Sequence, residues 1–178
     1  GEKADLCFTS PPYAAQRDYK IGEFDWRKMM IGVSDNIIDN SKDNSSVLVN
    51  LGIVHKNGRV DRYWDDWIDW MEENEQLFYG WYVWDKLSGL MGDWKGRLAP
   101  AHEFIFHFSK QPRQATKTAK TKYSENGITH YKKDKCGLRG KDGTMKGFTS
   151  AGKKVNSTKV IDSVIRCQPQ RGGIDGHP

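Results

Sequence analysis

An apolar run that halts at two adjacent prolines sets the first limit on how this chain folds. Residues 4–9 read ADLCFT and are followed by Ser10, Pro11 and Pro12. Proline has no backbone N–H to donate, so a ladder through residues 4–9 ends there, and the run is read as a short buried strand. Residues 24–38 place Trp26, Met29, Met30, Val33 and Ile37 at helical spacing. Residues 46–54 form a second apolar strand, closed by a turn at Lys56-Asn57-Gly58. Residues 62–78 give the most regular helical pattern. Trp64, Trp67, Ile68 and Met71 share one face, with acidic residues at 65, 66, 69, 72, 73 and 75 elsewhere. Those tryptophans read as core. Residues 81–84 and 103–108 (EFIFHF) look like two more strands joined by a Gly-rich loop, and residues 160–166 recover a strand pattern. Strands alternating with helices predict an α/β fold with a mostly parallel sheet.

Charge divides the chain more sharply than its net +5 implies. Residues 1–109 carry 12 Lys+Arg against 18 Asp+Glu, a net −6; residues 110–178 carry 16 against 5, a net +11. Residues 110–157 are rich in Lys, Thr, Gly and Ser and poor in aliphatic side chains, so they are expected to lack a core of their own. A polyanionic partner explains such polarity through phosphate contacts and counterion release; a solvated basic tail is the plain alternative. Three cysteines (Cys7, Cys136, Cys167) and five scattered histidines give no zinc spacing and no disulfide framework, and no metal site is expected. No apolar run reaches the 18 residues of a membrane span, and the first ten residues lack a signal-peptide shape. The expected setting is cytoplasmic, without membrane contact.

The chemistry is expected at Thr9-Ser10-Pro11-Pro12-Tyr13, which follows a strand and so lies at the sheet edge where α/β proteins bind ligands. Two prolines stiffen the turn and leave carbonyls that no ladder N–H claims. Ser10 Oγ and the Pro11 carbonyl are two acceptors on this turn. Tyr13 offers an aromatic ring beside them. A packed tyrosine after a strand-ending Pro-Pro turn is the bland reading of the same residues. Gln16-Arg17-Asp18-Tyr19 follows the tetrapeptide, and Trp84 to Lys110 carries Arg97, Pro100, His102 and Glu103 ahead of an aromatic strand ending in Lys. Ile174-Asp175-Gly176-His177-Pro178 closes the chain.

These three blocks, in this order, resemble the amino-methyltransferases of DNA (N4-cytosine and N6-adenine), of the phage or restriction-modification type with the catalytic motif first. The resemblance implies a Rossmann-like methyltransferase sheet, partial here, with a basic, loop-rich target-recognition insertion. It divides the chain into a catalytic part (1–109), the insertion (110–157), and a return strand leading into the His-Pro cofactor segment (158–178). It implies catalysis through Ser10, Pro11, Pro12 and Tyr13, with Ser10 Oγ and the Pro11 carbonyl accepting the N–H groups of an exocyclic amine so that its lone pair turns toward the methyl group, and Tyr13 stacking on the extruded base. It implies S-adenosylmethionine held by Thr9, His177 and Pro178. Double-stranded DNA would be contacted by Arg17, Arg113, Lys117, Lys120, Lys122, Lys132, Lys133, Lys135 and Arg139, and a restriction-enzyme partner is possible. His102 and Glu103 stay open between catalysis and a structural hydrogen bond. The Gly-rich cofactor loop of this arrangement is not found in the 178 residues, so the cofactor site is expected to be incomplete. Ser at the first motif position favours cytosine N4, with adenine N6 as runner-up. A non-catalytic DNA-binding fragment, and a methyltransferase acting on RNA or protein, are the readings from other classes.

Overall fold

The computed structural model describes residues 1–14, 25–89, 91, 92, 94–112, 116–131, 138–146 and 152–167. The chain forms two compact units, Gly1–Arg113 with Ser163–Pro178, and Gln114–Asp162.

The first unit is built on a five-stranded sheet. Its strands are β1 (Ala4–Thr9), β2 (Ser41–Leu51), β5 (Leu77–Asp85), β6 (His102–Ser109) and β11 (Val164–Arg166), in the order β1-β2-β6-β5-β11. β1 lies parallel to β2 and β11 parallel to β5, whereas β6 runs antiparallel to both its neighbours. Four of the five strands therefore run in one direction and β6 alone opposes them, so the sheet is mostly parallel, as expected, with one antiparallel strand at its centre. No helix is described between β5 and β6, and a parallel pair would need a crossover connection.

Helices α1 (Trp26–Asp39) and α2 (Asp65–Glu73) cover one face. Asp25 caps α1 by accepting the Lys28 N–H at 3.0 Å. The expected helix over 62–78 stops at Glu73, because Glu75 turns to a left-handed φ of 62° and Leu77 already begins β5. Val47, Val49 and Leu51 of β2 and Phe106 and Phe108 of β6 point at these helices and meet Trp26, Met30, Trp64, Trp67 and Met71, all buried. Edge-to-face ring contacts dominate, Trp67 against Phe108 at 5.2 Å and Trp64 against Phe106 at 5.6 Å. The indole N–H of fully buried Trp67 donates to Ser34 Oγ at 3.0 Å, which accounts for a buried serine on α1. The tryptophans of α2 are core, as their spacing predicts.

β1 departs from the expectation of burial. Among the described residues it is an edge strand, and Leu6 and Phe8 on the face away from the helices are 58% and 59% exposed. On the other face α1 leaves a cleft of about 530 Å³ beside Cys7, Val33 and Ile37. The turn expected at Lys56-Asn57-Gly58 closes a hairpin of β3 (Val54–Lys56) and β4 (Arg59–Asp61). Asn57 and Gly58 both take positive φ, 51° and 76°, the geometry that matches the twist of a two-residue hairpin.

The second unit holds β7 (Ala119–Lys120) paired with β10 (Thr158–Lys159), a short helix α3 (Lys122–Glu125), and a hairpin of β8 (Leu138–Arg139) and β9 (Met145–Lys146). This basic segment has more local order than its composition leads one to expect. Val155 is buried, its N–H donates to the Thr129 carbonyl at 2.8 Å, and the rings of Tyr123 and Tyr131 meet edge to face. Backbone pairing supplies the order that a missing aliphatic core would otherwise give. Residues 160–161, expected to belong to the last strand, precede it; both are exposed, and β11 begins at Val164.

Candidate active site

Strand direction gathers four polar side chains at one end of the sheet. β1, β2 and β5 end there, and antiparallel β6 begins there, so the residues after Thr9, around Leu51, after Asp85 and at His102 converge. The alternation that turns Val49 and Leu51 toward the helices turns Asn50 to the other face, toward Ser10 and Glu103.

Glu103 is the hub. Its Oε2 accepts from the Tyr13 hydroxyl at 2.8 Å and from Asn50 Nδ2 at 2.6 Å, and its Oε1 accepts from Lys86 Nζ at 2.7 Å. The Lys86 and Glu103 side chains are only 13% and 14% exposed. Burial works to raise the Glu103 carboxyl, but hydrogen bonds from Lys86, Asn50 and Tyr13, with the charge of Lys86, outweigh it and hold the group below its ordinary value. Glu103 is thus ionised at neutral pH. Asn50 Nδ2 also reaches the Tyr13 hydroxyl at 3.1 Å and Ser10 Oγ at 3.5 Å. Behind the cluster Tyr63 donates to the Gly52 carbonyl at 2.8 Å. Burial, helped by nearby Tyr13, Glu103 and Asp61, raises its phenol so that it stays neutral.

Each expected residue of the turn finds a definite place. Thr9 ends β1, Ser10 is exposed, Pro11 is buried, and the Pro12 carbonyl accepts from the Trp26 indole at 2.7 Å. The Pro11 carbonyl meets no donor among the described residues. Tyr13 is half-buried, its ring close against Gly52; a Cβ on that glycine would lie 2.5 Å from Tyr13 Cε2. Gly52 therefore has to be a glycine to seat the ring, a need that nothing in its sequence context announces. Nothing in the sequence singles out Asn50 or Lys86 either. The one available signal is a polar residue inside the run VLVNL.

In the second unit Lys117, Lys120, Lys122 and Arg139 are all exposed. Arg17, Arg113, Lys132, Lys133, Lys135, His177 and Pro178 lie outside the described residues. Among the described residues no group of three His, Cys, Asp or Glu side chains is arranged to hold a metal, and no helix is long and apolar enough to cross a membrane.

An open mixed α/β sheet with a polar cluster at its strand ends defines a fold shared with DNA methyltransferases. The structure of the PvuII DNA methyltransferase (cytosine-N4-specific) aligns with a TM-score of 0.58 at 15% identity, over 98% of this chain and 54% of that one. M1.HpyAVI, alone and as its SAM complex, aligns over 68% of this chain with a TM-score of 0.44 at 15% identity, covering 54% and 52% of those chains. The chain thus spans about half the length of the solved structures it matches. No curated protein matches it. The family model of the N6/N4 DNA methylases matches residues 4–170, nearly the entire chain. The chain belongs to that DNA methylase family.

Proposed function

We propose that this chain supplies the catalytic and target-recognising part of an enzyme that methylates the exocyclic N4 of cytosine in duplex DNA. The observation that carries the reading is the exposed Ser10 Oγ beside a Pro11 carbonyl that no described residue claims, at the strand end where Tyr13 is fixed. An amine extruded from the duplex would donate its two N–H groups to these oxygens. That leaves its lone pair out of conjugation with the ring and free to attack. The new N–C bond would form at that lone pair, and the methylated amine would release one proton to solvent beside exposed Ser10. The Tyr13 ring would support the extruded base. S-adenosylmethionine, when bound, supplies a methyl group on a sulfonium that departs as a neutral thioether. Thr9 adjoins Ser10 at the end of β1, so donor and acceptor can meet there; His177 and Pro178 would hold the rest of the cofactor.

Residues 110–157 would read the target, with Arg113, Lys117, Lys120, Lys122, Lys132, Lys133, Lys135 and Arg139, together with Arg17, on phosphates or base edges. The test is Ser10→Ala in the full-length protein, followed by mass spectrometry of nucleosides from the methylated DNA. The substitution should leave DNA affinity within about twofold, because phosphate contacts dominate it, and should cut turnover roughly ten- to a thousandfold. N4-methylcytosine is the expected product and N6-methyladenine would move the target base. 5-Methylcytosine would overturn the mechanism, since carbon methylation needs a thiolate nucleophile that this turn does not hold.

A further inference from the structure

We infer that Asn50 and Glu103 are positioning residues for the turn that carries Ser10 and Tyr13: the Glu103 carboxylate orients the Asn50 carboxamide, and the two together fix the Tyr13 hydroxyl and back the Ser10 Oγ. The inference rests on the methyl-transfer reading above.

Only one orientation of the Asn50 amide suits its surroundings. Its nitrogen lies 2.6 Å from Glu103 Oε2. Turned the other way, Oδ1 would face an ionised carboxylate, acceptor against acceptor. Yet the observed orientation leaves Oδ1 without a donor among the described residues, in a side chain only 3% exposed. A buried, unpaired acceptor is costly, and an apolar residue of the same size would avoid that cost. The amide is therefore held by what its nitrogen does. Two hydrogens there serve three acceptors, Glu103 Oε2, the Tyr13 hydroxyl and Ser10 Oγ. The Tyr13 hydroxyl in turn donates to the same Oε2, closing a ring of three hydrogen bonds. Lys86 occupies Oε1, so the carboxylate cannot rotate away, and Gly52 lets the Tyr13 ring pack close at the other end. Neither end of the tyrosine is free to turn. Ser10 sits at the margin of this network, exposed, with a donor behind it and its outer side open to a substrate.

The experiment compares methylation kinetics of the full-length protein with two Asn50 variants, alongside DNA affinity and thermal stability. Asn50→Leu keeps the branching at Cγ and removes every polar interaction of the side chain. It should lower kcat about ten- to a hundredfold while the Kd for DNA stays within about twofold and the melting temperature does not fall. Asn50→Asp keeps the shape and so covers the case in which leucine does not fold. It sets a second carboxyl against Glu103, with Lys86, Tyr13 and Tyr63 the other ionisable groups facing it. Two carboxyls this close share one proton. The protonated pair keeps a donor on Oε2, and its loss should give kcat an alkaline limb that the parent protein lacks. Unchanged kcat in Asn50→Leu, or an Asn50→Asp pH profile identical to the parent's, would overturn the inference while leaving the methyltransferase reading intact. A parent protein that transfers no methyl group would instead remove the reaction, and the positioning role with it.

Discussion

Replacing Lys86 with Met tests whether the buried ion pair holds the site together. Lys86 and Glu103 are 13% and 14% exposed and 2.7 Å apart, so the substitution leaves a carboxylate in a poorly solvated place. Breaking a buried pair by removing one partner costs about 3–5 kcal/mol. Two neutral donors, Asn50 and Tyr13, remain on Oε2. The loss should therefore fall near the lower end, about 3 kcal/mol at neutral pH, which a domain with about 5–15 kcal/mol of stability survives. Its pH dependence has a definite sign. In the parent protein the Glu103 carboxyl is depressed on folding, so its contribution is fully present above the unfolded-state pKa and is lost as pH falls through the folded one. In Lys86→Met, burial acts with only neutral donors against it and the carboxyl moves up. The stability deficit should be greatest at pH 7 and shrink on acidification, as the raised carboxyl of the variant takes up its proton while the parent's stays ionised. Urea denaturation at pH 7 and pH 5, followed by tryptophan fluorescence, measures both. A deficit under about 1 kcal/mol at pH 7, or one that does not shrink on acidification, would refute the reasoning.

Gly52→Ala should displace Tyr13, because the new methyl would overlap its ring; overpacking of this kind costs about 1–3 kcal/mol, and methylation should slow with it. Thermal unfolding together with turnover of the full-length protein checks this, and unchanged values for both would contradict the close approach of ring and backbone. Replacing Lys132, Lys133 and Lys135 with Ala should flatten the slope of log affinity for duplex DNA against log salt by about one unit for each phosphate no longer neutralised. A slope equal to the parent's would remove these lysines from the interface.

What the sequence makes legible here is whatever local pattern decides. The end of β1 follows from two prolines, the core face of α2 from tryptophans at helical spacing, and the β3–β4 turn from Asn-Gly. Where non-local pairing decides, the reading fails. An edge position for β1 is invisible in ADLCFT, since an apolar strand looks the same whether one or two neighbours flank it. Helix α2 and β5 merge in the sequence because residues 74–76 carry no Gly or Pro, and the left-handed turn falls on Glu75. The turn bearing Ser10 and Tyr13 can be found because it is contiguous. Asn50, Gly52 and Lys86 cannot, because they lie far from Tyr13 in the chain and meet its site only through the sheet; Glu103, 90 residues from Tyr13, is legible as a candidate but not as that tyrosine's partner.

The direction of β6 is what makes the cluster possible. An α/β protein ordinarily draws its site from the carboxyl ends of parallel strands, and β1, β2 and β5 obey that rule with Ser10, Asn50 and Lys86. Glu103 stands near the amino end of an 8-residue strand. Had β6 run parallel to its neighbours, that end would lie at the far edge of the sheet, roughly 23 Å away at 3.3 Å per residue. Because β6 is antiparallel to both β2 and β5, its first residues fall beside their last ones, with Glu103 opposite Trp84, and the carboxylate reaches Tyr13, Asn50 and Lys86 at once. The mixed topology thus brings an anion to an edge that all-parallel strands would furnish with residues from their carboxyl ends alone, and that anion holds the tyrosine of the Ser-Pro-Pro-Tyr turn in place.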